Sequence, residues 1–253
     1  MRRVKFRVVE PRLDPRPIRT PVPGWAGEPQ PRANGSREQP WHCTPFSEMA
    51  KYGVEVLYPY DHEIRVLTRD GRFSFDGDFG APPAEGRSWP PFRPFGEGYY
   101  TFQLLLDLKP EKGFATRVDP HPRYFTDSNN VTPLAVPAII RNWWPMINFL
   151  VFKAPPEGGT HIFRPGEPMA QFSFIPEEPD FVLEALTEEE AAERELQSRR
   201  IYESRSTLGA DSQWLSNTNT VFDATYRRLH GAMRGSVANG PDDDEDNGRG
   251  AAG

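Results

Sequence analysis

The chain has 253 residues, a formal net charge of −6, 28 prolines, 21 glycines, 12% aromatic residues and one cysteine. That length suits one large domain or a domain with an appendage, and the proline and glycine content favours short segments joined by turns over long helices. Cys43 alone excludes an internal disulfide and a cysteine-rich zinc cage within one chain, and it fits a reducing cytoplasm.

No run of about 18 apolar residues occurs, so no transmembrane helix is expected, and the first ten residues lack the apolar core of a signal peptide. Asp242, Asp243, Asp244, Glu245 and Asp246 against Arg234 and Arg249 place −3 in residues 232–253, leaving about −3 for the rest. With no basic stripe interleaved with aromatics, nucleic acid is not an expected partner.

In chain order, residues 4–10 (VKFRVVE) predict a first strand, and residues 11–40, with eight prolines, an extended or disordered arm anchored at most by Trp25. Thr44-Pro45 opens a short helix over 46–52 that ends at Gly53. Residues 54–59 predict a strand, Asp61-His62 a turn, and residues 63–68 the returning strand of a hairpin. Asp70-Gly71 then signals a second hairpin into residues 72–76. Residues 77–98 form a loop carrying Trp89, Phe92 and Phe95. Strands are expected at 99–108 and 113–118, followed by a proline-locked loop, Asp119-Pro-His-Pro-Arg.

The stretch from Arg141 to Pro176 organises the remainder. An apolar strand, a turn at Pro155–Gly159, a short strand at His161–Phe163, a Pro165-Gly166 turn and a last strand over 169–175 are predicted. Strand alternation would put Trp143 in register with Ile147, Phe149 and Val151, making it the core ring and Trp144 the outward one. Beyond Pro176, Thr187 and Glu190 make a capping box for a solvated helix to about Ser206. Phe222, Tyr226 and Leu229 suggest a second, shorter helix, and disorder is expected from Gly231. The expected organisation is a mainly β fold, a single β-sandwich or β-clip-like domain over 41–180. It carries a Pro-rich arm at 1–40, a helical segment at 181–230 and an acidic tail at 231–253.

Trp41–Pro45, Gly53-Val-Glu-Val-Leu-Tyr-Pro, Asn142-Trp-Trp-Pro with Asn148-Phe149, and Phe163-Arg-Pro-Gly-Glu-Pro are the segments through which the chain resembles a bacterial family of unknown function, over roughly residues 41 to 205. Pro137-Ala-Ile-Ile through Pro165-Gly-Glu-Pro-Met-Ala-Gln-Phe-Ser-Phe more distantly resembles the core of the dUTPase and dCTP-deaminase β-clip fold. Those enzymes place an acidic residue beside a glycine where this chain has Ile140-Arg141-Asn142-Trp143, and no Ser-Arg-Gly phosphate segment stands out. The resemblance therefore implies a fold and not nucleotide chemistry.

Two functional classes stay open. One is a small-molecule site, with or without catalysis, in the mouth of the β domain, built from Trp144, Arg141, Asn148, Asp119, His121 and Arg123. The other is a non-enzymatic module that binds protein partners or self-associates. His121, Asp119 and His161 are the residues a mononuclear metal would use, although loop or core histidines are the commoner outcome. Cys43 beside His42 on an extended segment would point to the opposite face, so a small buried hydrophobe is the reading there.

Overall fold

A computed structural model describes residues 3–8, 11–18, 44–49, 52–81, 90–122, 124, 132–144, 148–208, 214–215, 221–223 and 225–238. Trp25, His42, Cys43, Trp89, Arg123, most of the Pro-rich arm and residues 239–253 lie outside them. The fold is mainly β, in several antiparallel sheets, and divides into two compact units at Leu183/Glu184. Among the described residues no helix is long and apolar enough to cross a membrane.

The first unit contains β1 (Lys5–Val8), β2 (Arg16–Pro17), α1 (Thr44–Met49), β3 (Val54–Leu57), β4 (Ile64–Arg69), β5 (Arg72–Asp76) and β6 (Phe92–Pro94). It continues with β7 (Tyr99–Leu104), β8 (Leu106–Lys109), β9 (Phe114–Pro120), β10 (Ala138–Ile140), β11 (Asn148–Lys153), β12 (Thr160–Phe163) and β13 (Pro168–Pro176). Five strands pair in the order β10-β9-β13-β3-β2, two further sheets run β11-β7-β6 and β12-β4-β5, and β1 pairs with β8. The two three-stranded sheets face each other through aromatic rings. Phe75 packs on Phe92 at 5.9 Å between centroids, Phe92 on Phe163 at 5.0 Å and Phe152 on Phe163 at 5.3 Å. Val56, Val118, Ala170 and Phe172 of the five-stranded sheet complete the same core.

The organising stretch forms three strands as expected, but β11, β12 and β13 go to three different sheets. The run 99–108 is likewise cut at Leu105 and changes sheets there. Leu104, Leu105 and Leu106 are all buried, as befits a chain crossing the core rather than edging it. The Asp70-Gly71 hairpin is present, with φ of 51° and 67° at the two turn residues, the pair of positive values a two-residue turn requires.

The expected hairpin across Asp61-His62 does not form. β3 pairs with β13 and β2, and β4 with β5 and β12. Tyr58 explains the change. Its N–H donates to the Glu167 carbonyl at 2.8 Å and its carbonyl accepts from Gly166 N–H at 3.1 Å, so the chain stays beside the Pro165-Gly166 turn instead of folding back. Gly53 holds the same seam, since a Cβ there would lie 1.8 Å from the Phe172 carbonyl oxygen.

Two further expectations are corrected. The start of the arm packs, with Leu13 fully buried and Arg16–Pro17 paired to β3. Trp143 is not a core ring: it is 70% exposed and Trp144 is 48% exposed. The strand alternation does not apply because Arg141–Trp144 is a turn, closed by Trp144 N–H to the Arg141 carbonyl at 3.0 Å. In β11 it is Leu150 and Phe152 that face inward, leaving Phe149 exposed.

The second unit contains α2 (Glu188–Leu208), a small hairpin of β14 (Trp214–Leu215) and β15 (Val221–Phe222), and α3 (Thr225–Ala238). The capping box forms as expected, Thr187 N–H to Glu190 Oε2 at 2.9 Å and Glu190 N–H to Thr187 Oγ1 at 3.3 Å. No residue of α2 is buried, consistent with a solvated helix. Phe222 lies on a strand rather than a helix, and α3 runs past Gly231 to Ala238.

Candidate functional site

Register alone assembles a polar row on one face of the five-stranded sheet. Arg16 lies opposite Glu55, Glu55 opposite Gln171, and Gln171 opposite Asp119, and residues opposite each other in a ladder share a face. Glu55 is 2% exposed and His121 is fully enclosed. His121 Nε2 lies 3.1 Å from Glu55 Oε2, and Arg16 Nε donates to Glu55 Oε1 at 2.6 Å. Burial pushes the Glu55 carboxyl up, but the hydrogen bonds from His121 and Arg16 outweigh it and hold the group below its usual range. Gln171 donates to the carbonyls of Met49 and Tyr52, which seats the end of α1 on the row. Asp119 is paired with Arg117 at 2.9 Å. Each charge in the row already has an opposite partner, so it works as a clamp joining β2, α1 and the chain after β9 to the sheet.

The residues flagged in the sequence do not come together. Ile140 faces Thr116, three residues before Asp119, so Arg141 begins about 10 Å down the sheet from that carboxylate. Arg141 donates to the Glu177 carbonyl and to Glu178 Oε1, the latter at 2.8 Å. Trp144 packs on Trp143, edge to face at 5.7 Å. Asn148 begins β11 opposite Leu104, and Arg123 lies outside the described residues. His161 is on β12, in a different sheet from Asp119 and apart from His121. Among the described residues no three of His, Cys, Asp and Glu group so as to hold a metal ion.

His161 instead lies at the mouth between the two three-stranded sheets. A cleft of about 560 Å³ opens there, lined by Thr68 and Phe73 of the β4–β5 hairpin, Leu134, Lys153, Pro155 and His161. That size falls in the usual range of small-molecule sites. His161 is 5% exposed, and its Nδ1 sits 2.7 Å from the hydroxyl of the fully buried Tyr100. Tyr100 also stacks on Phe152 at 5.3 Å, which fixes the phenol in place.

The partners of the two side chains fix where the proton sits. Burial, and secondarily the neighbouring Tyr124, keeps the Tyr100 phenol protonated far above its ordinary range. Among the described residues the phenol O–H has one acceptor, His161 Nδ1, so it donates there. The imidazole is therefore the neutral form carrying its hydrogen on Nε2, and burial lowers its pKa to about 4. Nε2 has no partner among the described residues and is not sealed in, so this N–H opens into the cleft.

A second cleft of about 630 Å³ lies beside α1 over Arg117, Ser173 and Ile175, with Arg3 and Glu111 also at its lining and Arg117 engaged by Asp119. The mouth cleft differs in presenting an N–H that has no acceptor among the described residues. His161 was singled out in the sequence as a metal-ligand candidate, not as a residue of a small-molecule cleft. Tyr100 was not, because it lies 61 residues away and only the pairing of β7 and β12 with their own sheets brings the two together. Compared with known proteins, the chain matches no protein-family model and no curated sequence.

Proposed function

We propose that this protein binds a small organic molecule at the mouth between sheets β11-β7-β6 and β12-β4-β5. One observation carries the reading: a nearly buried, neutral imidazole whose Nδ1 is taken by Tyr100 and whose Nε2–H opens into a cleft of about 560 Å³. A ligand acceptor placed there would gain a hydrogen bond worth about 0.5–1.5 kcal/mol. The apolar walls, Phe73, Leu134, Ala154, Pro155 and Pro156, supply the surface against which a ligand body would desolvate. Nothing in the arrangement requires turnover, so binding is the whole of the reading. The single cysteine suits a reducing compartment for it.

Ligand-observed NMR with a fragment library tests the proposal. Fragments should bind the native chain and lose saturation transfer in Leu134→Trp, which fills the cleft from a half-exposed position. Binding unaffected by the filled cleft, or no binding at all, would overturn it.

A second reading, a protein-interaction or self-associating module, is favoured by the outward rings of Trp143 and Trp144 and by Phe181, Val182 and Leu183, all exposed. Self-association would show as a concentration-dependent mass in sedimentation analysis, and Trp144→Ala should reduce it.

A further inference from the structure

We infer that the mouth cleft selects an organic monocarboxylate with an apolar body, its carboxylate held between the His161 Nε2–H and the Lys153 ammonium. The inference rests on the binding reading above and adds the charge of the ligand. Among the described lining residues the only charged side chain is Lys153, and no carboxylate lines the cleft. Lys153 has no ion pair or hydrogen bond with another described side chain. One neighbouring carboxylate is occupied elsewhere. Glu157, next to the lining Pro156, accepts from the N–H groups of Asp70 and Gly71 at 2.7 and 3.2 Å and caps the β4–β5 turn with both oxygens.

The donor set at the lining is thus one cation and one neutral N–H. Two donors match the two oxygens of one carboxylate. A phosphate monoester would bring nearly two negative charges to one ammonium and leave charge unpaired in a part-dry site. A cationic ligand would meet Lys153 with no anion to offset it. The neutrality of His161 matters for the same reason: it offers a hydrogen without adding a second positive charge, so selectivity for charge rests on Lys153 and selectivity for an acceptor on His161. The apolar walls account for the rest of the ligand, which is why a bare acetate would not suffice.

The test uses the full chain and matched acid and amide pairs on phenylpropyl, indolyl and linear alkyl bodies, with phenethyl phosphate as the dianion. Titration calorimetry measures affinity, and nitrogen-15 imidazole spectra report the His161 ring. At least one acid should bind about tenfold or more tighter than its amide, the margin expected when a neutral hydrogen bond is replaced by a charged one. That acid should also outbind the phosphate, and the His161 Nε2 signal should move while Nδ1 stays unprotonated. Lys153→Met should erase the acid-over-amide margin yet leave amide binding, and His161→Gln, which still offers an N–H, should retain more affinity than His161→Phe. Equal binding of acid and amide with His161 perturbed would overturn the carboxylate inference and leave the binding site standing. No perturbation of His161 by any probe would overturn the inference and the site together.

Discussion

His121 and His161 are both enclosed in the first unit, yet their surroundings demand different things of them. His121 meets a buried carboxylate that also takes Arg16, so the cluster holds itself together and anchors three segments of chain. His161 meets a buried phenol that has no other acceptor among the described residues and so donates to Nδ1, and its other nitrogen is turned toward open space. Burial is nearly the same at the two sites. What differs is whether the hydrogen-bonding capacity of the ring is used up within the protein, and that difference separates a structural histidine from one available to a ligand.

The comparison breaks most readily at Glu55. Glu55→Ala strands Arg16 and His121 beside a buried gap and should cost about 3–5 kcal/mol in urea denaturation. Glu55→Leu combined with His121→Phe removes both polar groups and should cost less than Glu55→Ala alone. A loss under about 1 kcal/mol for Glu55→Ala would mean that the row is not a clamp.

Acid separates the two regions in a second way. Folded His161 stays neutral down to about 4, whereas the unfolded chain takes up the proton near 6.5, so between these values the unfolded state binds more protons. Stability should therefore fall as pH is lowered from 6.5 to 4, by up to about 3 kcal/mol, and this contribution should level off below. Glu55 has the opposite timing. Its folded carboxyl is held below the ordinary 4.5, so its contribution is intact above that value and is lost only as pH drops through the lower folded value. Denaturant titrations across this range should show two successive losses, and Tyr100→Phe combined with His161→Phe should remove only the first.

The same pair of side chains gives a smaller effect at neutral pH. His161→Phe alone leaves the Tyr100 hydroxyl buried without an acceptor and should cost about 1–3 kcal/mol. The double change replaces both partners by apolar rings of similar shape and should recover most of that loss. If single and double variants melt alike, the phenol has another acceptor and the tautomer assignment for His161 fails.

Much of the fold was legible because short apolar runs and Gly/Pro turns are local signals. The Asp70-Gly71 turn, the Thr187/Glu190 capping box and the strands of the organising stretch all follow from residues a few positions apart. Strand partners were not legible. Tyr58 spends its backbone on the turn at Gly166, which no local pattern shows, and so the expected hairpin at Asp61-His62 became a crossover between sheets. The site failed for the same reason. Asp119 and His121 looked notable because prolines flank them, but Arg117, Glu55 and Arg16 absorb them. Lys153 and Tyr100 looked like ordinary strand residues, and only tertiary pairing brings Tyr100 to His161 and puts Lys153 at the lining of the same cleft.

The smallest expected effect concerns the tryptophans, which extend the contrast to rings that lie outside both buried regions. Truncating a core aromatic ring costs about 3–5 kcal/mol because it empties a packed space. Trp143 and Trp144 fill no such space: they sit on a turn, mostly or half exposed, and touch each other edge to face at 5.7 Å. An edge-to-face pair contributes about 0.5–1.5 kcal/mol beyond area, and less where water reaches both rings. Trp143→Ala and Trp144→Ala should each lower stability by no more than about 1 kcal/mol, and the double variant by little more than either alone, since the first change already removes the mutual contact. The turn itself should survive, because Asn142 holds it through side-chain donation to the Pro110 and Glu111 carbonyls at 3.3 and 3.4 Å. Thermal denaturation of the three variants checks this. A loss of several kcal/mol from Trp143→Ala would show that the ring is covered in solution, and would move the interest of this surface from folding to whatever covers it.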